Sequence, residues 1–106
     1  MALRDLIAGL GTTPVDRYAR LPSVRWRVIE GRVVLIDANE GELLHLNEVG
    51  SRVWELLDGT RSVAELVDAL HAGFDVSSTR LGKDVSKFLR KLHRMELITK
   101  LDAPGT

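Results

Sequence analysis

The stretch from Glu42 to Gly50, ELLHLNEVG, changes its period in mid-run. Up to Leu46 the side chains alternate, Leu44 and Leu46 against Leu43 and His45, the two-residue repeat of a pleated strand. From Asn47 onward the apolar residues Val49, Val53, Trp54 and Leu57 share one face of a helix. No connector separates the two patterns. Asn47 is a residue whose side chain accepts backbone N–H groups at a helix start. A strand that becomes a helix without slack fixes the angle between them, so the rest of the chain has to pack around that joint.

Upstream of it lie three runs rich in β-branched, aromatic and leucine residues: VRWRVIE at 24–30, RVVLIDA at 32–38 and ELLHLN at 42–47. Glu30-Gly31 and Asn39-Glu40-Gly41 separate them, with glycine available for positive φ in tight turns. The pattern predicts an antiparallel three-stranded meander. Downstream, the first helix is closed by Asp58-Gly59. Ser62 with Glu65 three residues later forms a capping box that opens a second helix, whose apolar side is Leu66, Val67, Leu70 and Phe74. Gly73 marks its end. A third helix starts at Ser78 or Thr79 and runs to about Met95, with Gly82 near its start costing roughly 1 kcal/mol relative to alanine. ELITKL after it adds a short extended segment. Three strands followed by three helices make an α+β domain, and winged-helix modules use the same parts in another order.

The first 23 residues are less consistent. Leu3, Leu6, Ile7 and Leu10 are spaced like one face of a short helix that Gly9 and Gly11 would end, and TTPVDRYARLPS, with two prolines, reads as an extended connector. The expected organisation is an N-terminal extension over 1–23 (a short helix plus linker), a domain over 24–101 and a flexible tail over 102–106. The extension has two expected uses, homodimerisation or strand exchange between copies.

Composition removes several classes of function. Fifteen basic and fifteen acidic residues cancel in a chain of 106, so no global field attracts nucleic acid or anionic lipid. Cysteine is absent, which removes disulfides, thiolate zinc sites and cysteine nucleophiles. The N-terminal apolar run is too short for a membrane span, and the expectation is a cytoplasmic protein. His45, His71 and His93 form no familiar metal motif, and GXSXG and GXXXXGK are absent. Asp58, Asp68 and Asp75 lie at helix ends or on polar faces with no visible pairing. The chain reads as a non-enzyme with no cofactor and no metal. Trp54 reads as core, and the alternation in the first strand leaves the side taken by Trp26 open.

The third helix is two-faced. On a wheel of about 100° per residue, Leu81, Val85, Phe88, Leu89, Leu92 and Met95 fall in one arc. Arg80, Lys83, Lys87, Arg90, Lys91 and Arg94 fall in another, with Asp84 as the one nearby acid. Six of fifteen cations thus sit on one helix surface of a neutral protein. That is either a solvated outer face or a docking surface for an acidic partner.

GELLHLNEVGSRVWELLDGTRSVAELVDAL, followed by DVSKFLRKLHRMELI, resembles the PqqD-like proteins, a family named for a pyrroloquinoline quinone biosynthesis protein. The marks are a strand ending in Leu46-Asn47, a helix closing on Leu57-Asp58-Gly59, a second helix with SVAELV, and Asp84-Val85 with Phe88-Leu89 in the third. The likeness covers about residues 24–98. The long stretch 1–23 departs from the quinone-pathway protein itself and brings the pattern closer to the general PqqD-like group.

The resemblance implies a winged helix-turn-helix fold that binds peptide. Such proteins, also called RiPP recognition elements, hold the leader segment of a ribosomally made precursor peptide and present it to a modifying enzyme, often a radical S-adenosylmethionine enzyme, here expected in trans. The leader adds as a further strand beside the third strand and lies against the third helix. Carried onto this sequence, Leu43 to Leu46 would be an open edge left for a peptide strand. Leu43 and His45 would border the groove from the sheet, and Phe88 would floor it from the helix. Lys83, Lys87 and Lys91 would pair with leader carboxylates. Leu44→Pro would then remove a backbone donor from the edge. The competing readings are a winged-helix DNA-binding protein using the basic third helix, which the zero net charge disfavours, and a purely structural subunit of an enzyme complex.

Overall fold

In the computed structural model, residues 13–37 and 41–101 are described. Their elements run β1 (Arg17–Arg20), β2 (Arg25–Ile29), β3 (Arg32–Asp37), β4 (Glu42–His45), α1 (Glu48–Leu56), β5 (Asp58–Ser62), α2 (Val63–Gly73), α3 (Ser78–Arg94) and β6 (Ile98–Leu101). The expected helix over residues 3–10, the Asn39-Glu40 part of the second turn and the tail over 102–106 lie outside the described residues.

The meander is present: β2, β3 and β4 form an antiparallel sheet in that order. Glu30 and Gly31 take φ of 53° and 79°, which gives the two-residue turn whose twist matches that of the flanking strands. Inward-facing Val33 and Leu35 of β3 are fully buried beneath the helices. The predicted caps are also in place. Asn47 Oδ1 accepts the Gly50 N–H at 2.8 Å to start α1, and Ser62 and Glu65 satisfy each other's backbone donors at the start of α2. Ser77 caps α3 through the Arg80 N–H. In α3 the apolar face sinks Leu81, Val85, Leu89 and Leu92, while all six cations of the opposite arc are exposed.

A second sheet is absent from the sequence expectation. Its order is β5-β1-β6, both pairings antiparallel. Its middle strand, β1, falls within the stretch read as connector and placed outside the domain. Tyr18 at its centre is 4% exposed, belongs to the core and meets the His93 ring edge-on at 5.9 Å. Arg20, at the end of β1, donates from Nη1 to the carbonyls of Trp54 and Glu55 at the end of α1, adding to the bond that Trp54 accepts from the Leu57 N–H. It also lies over the Trp26 ring at 5.6 Å. β1 therefore joins the N-terminal stretch to the core and holds the last turn of α1.

β5 has no strand signature of its own. Gly59, expected to stop α1, does take a positive φ of 87°, but within β5, where an added Cβ would come 2.8 Å from Leu101 Cδ1. Asp58, read as unpaired, accepts from the Thr60 hydroxyl at 2.6 Å and the Thr60 N–H at 3.0 Å and faces Arg61 at 3.4 Å. Those hydrogen bonds from Thr60, with Arg61 beside them, hold its carboxyl below the ordinary value of 3.8.

Candidate functional site: the open edge of β4 and the cleft beside it

β4 pairs with β3 on one side and with no other strand among the described residues on the other. Its register is Asp37–Glu42, Ile36–Leu43, Leu35–Leu44 and Val34–His45. One step beyond, the Leu46 N–H donates to the Val33 carbonyl at 2.9 Å. The return bond is bridged: the Val33 N–H donates to Ser51 Oγ at 2.8 Å, and that hydroxyl donates to the Leu46 carbonyl at 3.4 Å. Ser51, buried in α1, thus pins the strand-to-helix joint to the centre of the sheet. This is the physical basis of the abrupt change of period at Asn47.

In an antiparallel pair the residues that exchange bonds alternate with residues whose N–H and C=O point away from the partner. Leu46 bonds toward β3, so Leu44 does too, and Leu43 and His45 turn their backbone groups to the open edge. Their side chains follow the other alternation. Leu44 packs on the core under the helices, whereas Leu43, 59% exposed, and His45 lie on the outer face of the sheet, across from Ile36 and Val34. The expectation that Leu43 and His45 border the groove with their side chains is therefore corrected. The pleat sends their side chains away from α3 and leaves their backbone groups at the open edge. The Leu44→Pro test is corrected for the same reason, since the Leu44 N–H belongs to the β3 ladder. Leu46 is buried in the core.

Where β4 ends, a cleft of about 340 Å3 opens between α1 and α3. Its walls are Asn47, Val49, Gly50 and Val53 from α1, and Asp84, Val85, Lys87 and Phe88 from α3. Phe88 is half-buried. A Cβ on Gly50 would sit 3.5 Å from Phe88 Cζ and 3.2 Å from Asn47 Oδ1, so the glycine leaves room for the ring. Of the helix residues expected from the sequence, the structure brings Lys87 and Phe88 to the cleft. Lys83 and Lys91 are exposed on the basic face and do not line it. Asp84 reaches toward Arg80 at 3.9 Å. Sequence reasoning missed Gly50, Val49 and Asp84 as cleft residues. Val49 lies on the apolar face of α1, and Gly50 was legible only as a glycine inside a helix start, a position that needs a packing reason.

The cleft and edge are chemically plain: an apolar floor, one lysine, one carboxylate, and a row of free backbone donors and acceptors. Among the described residues no group of three or more His, Asp or Glu is arranged to hold a metal ion. No described helix is long and apolar enough to cross a membrane.

The family model for coenzyme PQQ synthesis protein D (PqqD) matches residues 32–98, which span β3, β4, the joint, the cleft and all three helices. The chain belongs to the PqqD family. Three solved structures share its fold. The first, TbiB1 in complex with the TbiA(beta) leader peptide, is 34% identical, with a TM-score of 0.67 over 76% of this chain and 93% of that one. A lasso peptide synthetase B1 complexed with the leader peptide is 20% identical, with a TM-score of 0.66 over 81% and 99%. The PqqD truncation of Methylobacterium extorquens PqqCD, described as a functional and stand-alone RiPP recognition element, is 20% identical, with a TM-score of 0.69 over 83% and 94%. At 20% identity the last two speak for the fold alone. No curated protein sequence matches the chain. As a PqqD family member it has a mixed α+β fold with a three-stranded antiparallel sheet and three helices, as expected, to which the β5-β1-β6 sheet is added.

Proposed function

We propose that this PqqD family member is a non-catalytic adaptor that captures the leader segment of a ribosomally made precursor peptide and presents it to a modifying enzyme, often a radical S-adenosylmethionine enzyme. The observation that carries this reading is the unpaired edge of β4 ending at an apolar cleft, in a chain 34% identical to TbiB1, a protein solved with a leader peptide bound. The leader strand bonds to the free N–H and C=O groups of Leu43 and His45. Alternate leader side chains point toward α3 and enter the cleft over Phe88 and Val49. Lys87 at the wall, with Lys83 and Lys91 further along the basic face, meets leader carboxylates. Backbone pairing contributes about 1 kcal/mol per hydrogen bond and little sequence choice, so selection lies in the cleft and in the lysines. The winged helix-turn-helix description is part of the same reading, with α2 and α3 as the helix pair and the β2–β3 hairpin as the wing.

Titration of the 15N-labelled chain with a leader peptide encoded beside it tests the proposal. The expected shifts are confined to residues 42–50 and 83–91. A chain that ignores leader peptides but shifts along α3 with duplex DNA, with a binding constant falling steeply with salt, would instead be a nucleic-acid-binding protein. Neither the zero net charge nor the similar structures favour that outcome.

A further inference from the structure

The outer face of the β2-β3-β4 sheet, turned away from the helices, has a composition that the peptide site does not use. The strand registers lay it out as a grid. Arg25, Ile36 and Leu43 form one row; Arg27, Val34 and His45 form the next; Ile29 and Arg32 close it at the hairpin. A sheet with one face on the core ordinarily shows polar residues on the other. Here half of the positions are aliphatic, and Ile29 and Leu43 are 53% and 59% exposed. The polar half is three arginines and a histidine, and among the described residues the carboxylates near this face stand at its two ends, Glu30 and Glu48 by the hairpin and Asp37 and Glu96 at the other. A neutral chain has therefore set apolar positions among arginines on this sheet face, with Ile29 and Leu43 exposed, Ile36 half-buried and Val34 buried. At the Arg25–Ile36 end the face runs into a second cleft, of about 670 Å3, whose walls include the apolar Leu21, Val24 and Leu97 and the carboxylates Asp37 and Glu96.

From this we infer that the outer sheet face is a protein-docking surface, and that its partner is a folded protein presenting an apolar patch rimmed by aspartate and glutamate. Resting on the adaptor reading above, that partner is the modifying enzyme, held on the face opposite the leader groove. Charge complementarity selects the partner's chemistry. The choice of cation points the same way: arginine is enriched at protein interfaces and lysine depleted, and this face has three arginines and no lysine. α3, by contrast, mixes lysines at 83, 87 and 91 with its three arginines. A second copy of this chain docked face to face about a twofold axis would bring the arginine rows of the two copies together, with carboxylates only at the ends of the face. The second cleft gives an otherwise flat surface a socket for one protruding side chain of the partner.

The test uses the full chain and the purified maturation enzyme encoded beside it, with binding measured by calorimetry for the wild type, Arg27→Glu with Arg32→Glu, and Lys87→Glu. The expected result is a double dissociation. The arginine variant loses about tenfold or more in enzyme affinity and keeps its leader affinity within about twofold, whereas Lys87→Glu loses leader affinity and keeps the enzyme. Circular dichroism and thermal melting confirm that both variants fold, and Ile29→Ser repeats the enzyme loss without changing charge. Wild-type chain that does not bind the enzyme, or an arginine variant that binds it unchanged, overturns the inference. So does either of two alternatives: wild-type dimers that the arginine variant dissociates in sedimentation, or binding to phosphatidylglycerol vesicles lost in that variant while enzyme binding persists. Failure of the leader to bind any form would overturn the adaptor reading separately, because the enzyme measurement does not require leader.

Discussion

Leu43, Leu44 and His45 are three neighbours with three different duties, and only hydrogen-bond parity separates them. Leu44 bonds to β3 and packs inward, while Leu43 and His45 offer backbone groups to the open edge and side chains to the outer face. Leu43→Pro is therefore expected to leave the fold intact, since proline is tolerated on an edge strand where its missing N–H faces outward. It should weaken leader binding by about tenfold or more in calorimetry, from one lost donor and the ring's intrusion on the added strand. Leu44→Pro removes a ladder bond and should lower the melting temperature by many degrees. If both prolines affect binding and melting alike, the parity assignment is wrong. At the cleft, Lys87→Glu with Lys91→Glu should weaken an acidic leader without unfolding the domain, because both side chains are exposed. Lys91→Glu alone, outside the cleft lining, should do much less.

At the scale of elements, the joints carry the design. The Asn47 cap and the Ser51 bridge lock β4 to α1, so edge and cleft keep one register before any peptide arrives. Asn47→Ala is expected to cost about 1 kcal/mol in denaturant unfolding and to loosen the cleft wall that Asn47 forms. The box at the start of α2 sets a pH dependence. The Glu65 carboxylate accepts the Ser62 N–H, first among the causes that hold it below its ordinary value of 4.5. A group whose folded value is depressed stabilises fully above its unfolded value and ceases to do so as pH falls through the folded one. Thermal stability should accordingly decline from about pH 5 downward, and Glu65→Gln, which keeps a neutral acceptor, should flatten that part of the curve. An unchanged acid limb in Glu65→Gln would show that other carboxylates dominate it, Asp58 foremost.

For the whole molecule, the second sheet ties both ends of the described chain to its middle. β1 pairs with β5 on one side and β6 on the other, and Tyr18 is core. Tyr18→Ala should cost about 3 kcal/mol in urea unfolding. A fragment spanning 24–106 lacks β1 and with it the Arg20 bonds to α1, so it should lose cooperative unfolding rather than behave as a trimmed domain. Leader affinity and unfolding should be measured together on any such truncation, because loss of binding there would report on α1 rather than on a contact with residues 1–23.

By itself the sequence determined the elements whose signals are local. The β2–β3 turn follows from Glu30-Gly31, both helix caps from Asn47 and the Ser62–Glu65 pair, and the buried side of α3 from its apolar spacing. It also marked Lys87 and Phe88. What it could not determine is anything that depends on a partner distant along the chain. Arg17–Arg20 and Asp58–Ser62 have no alternating apolar pattern, and they become strands because residues some 40 and 80 positions apart meet there. Which of two adjacent residues faces the edge likewise depends on which strand it bonds, and a two-residue repeat alone gives only the alternation, not its phase. The tertiary structure supplied that phase. It turned the Leu43 and His45 side chains to the outer face and their backbone groups to the open edge, and it exposed an arginine-bordered face that the one-dimensional pattern spreads across three separate strands.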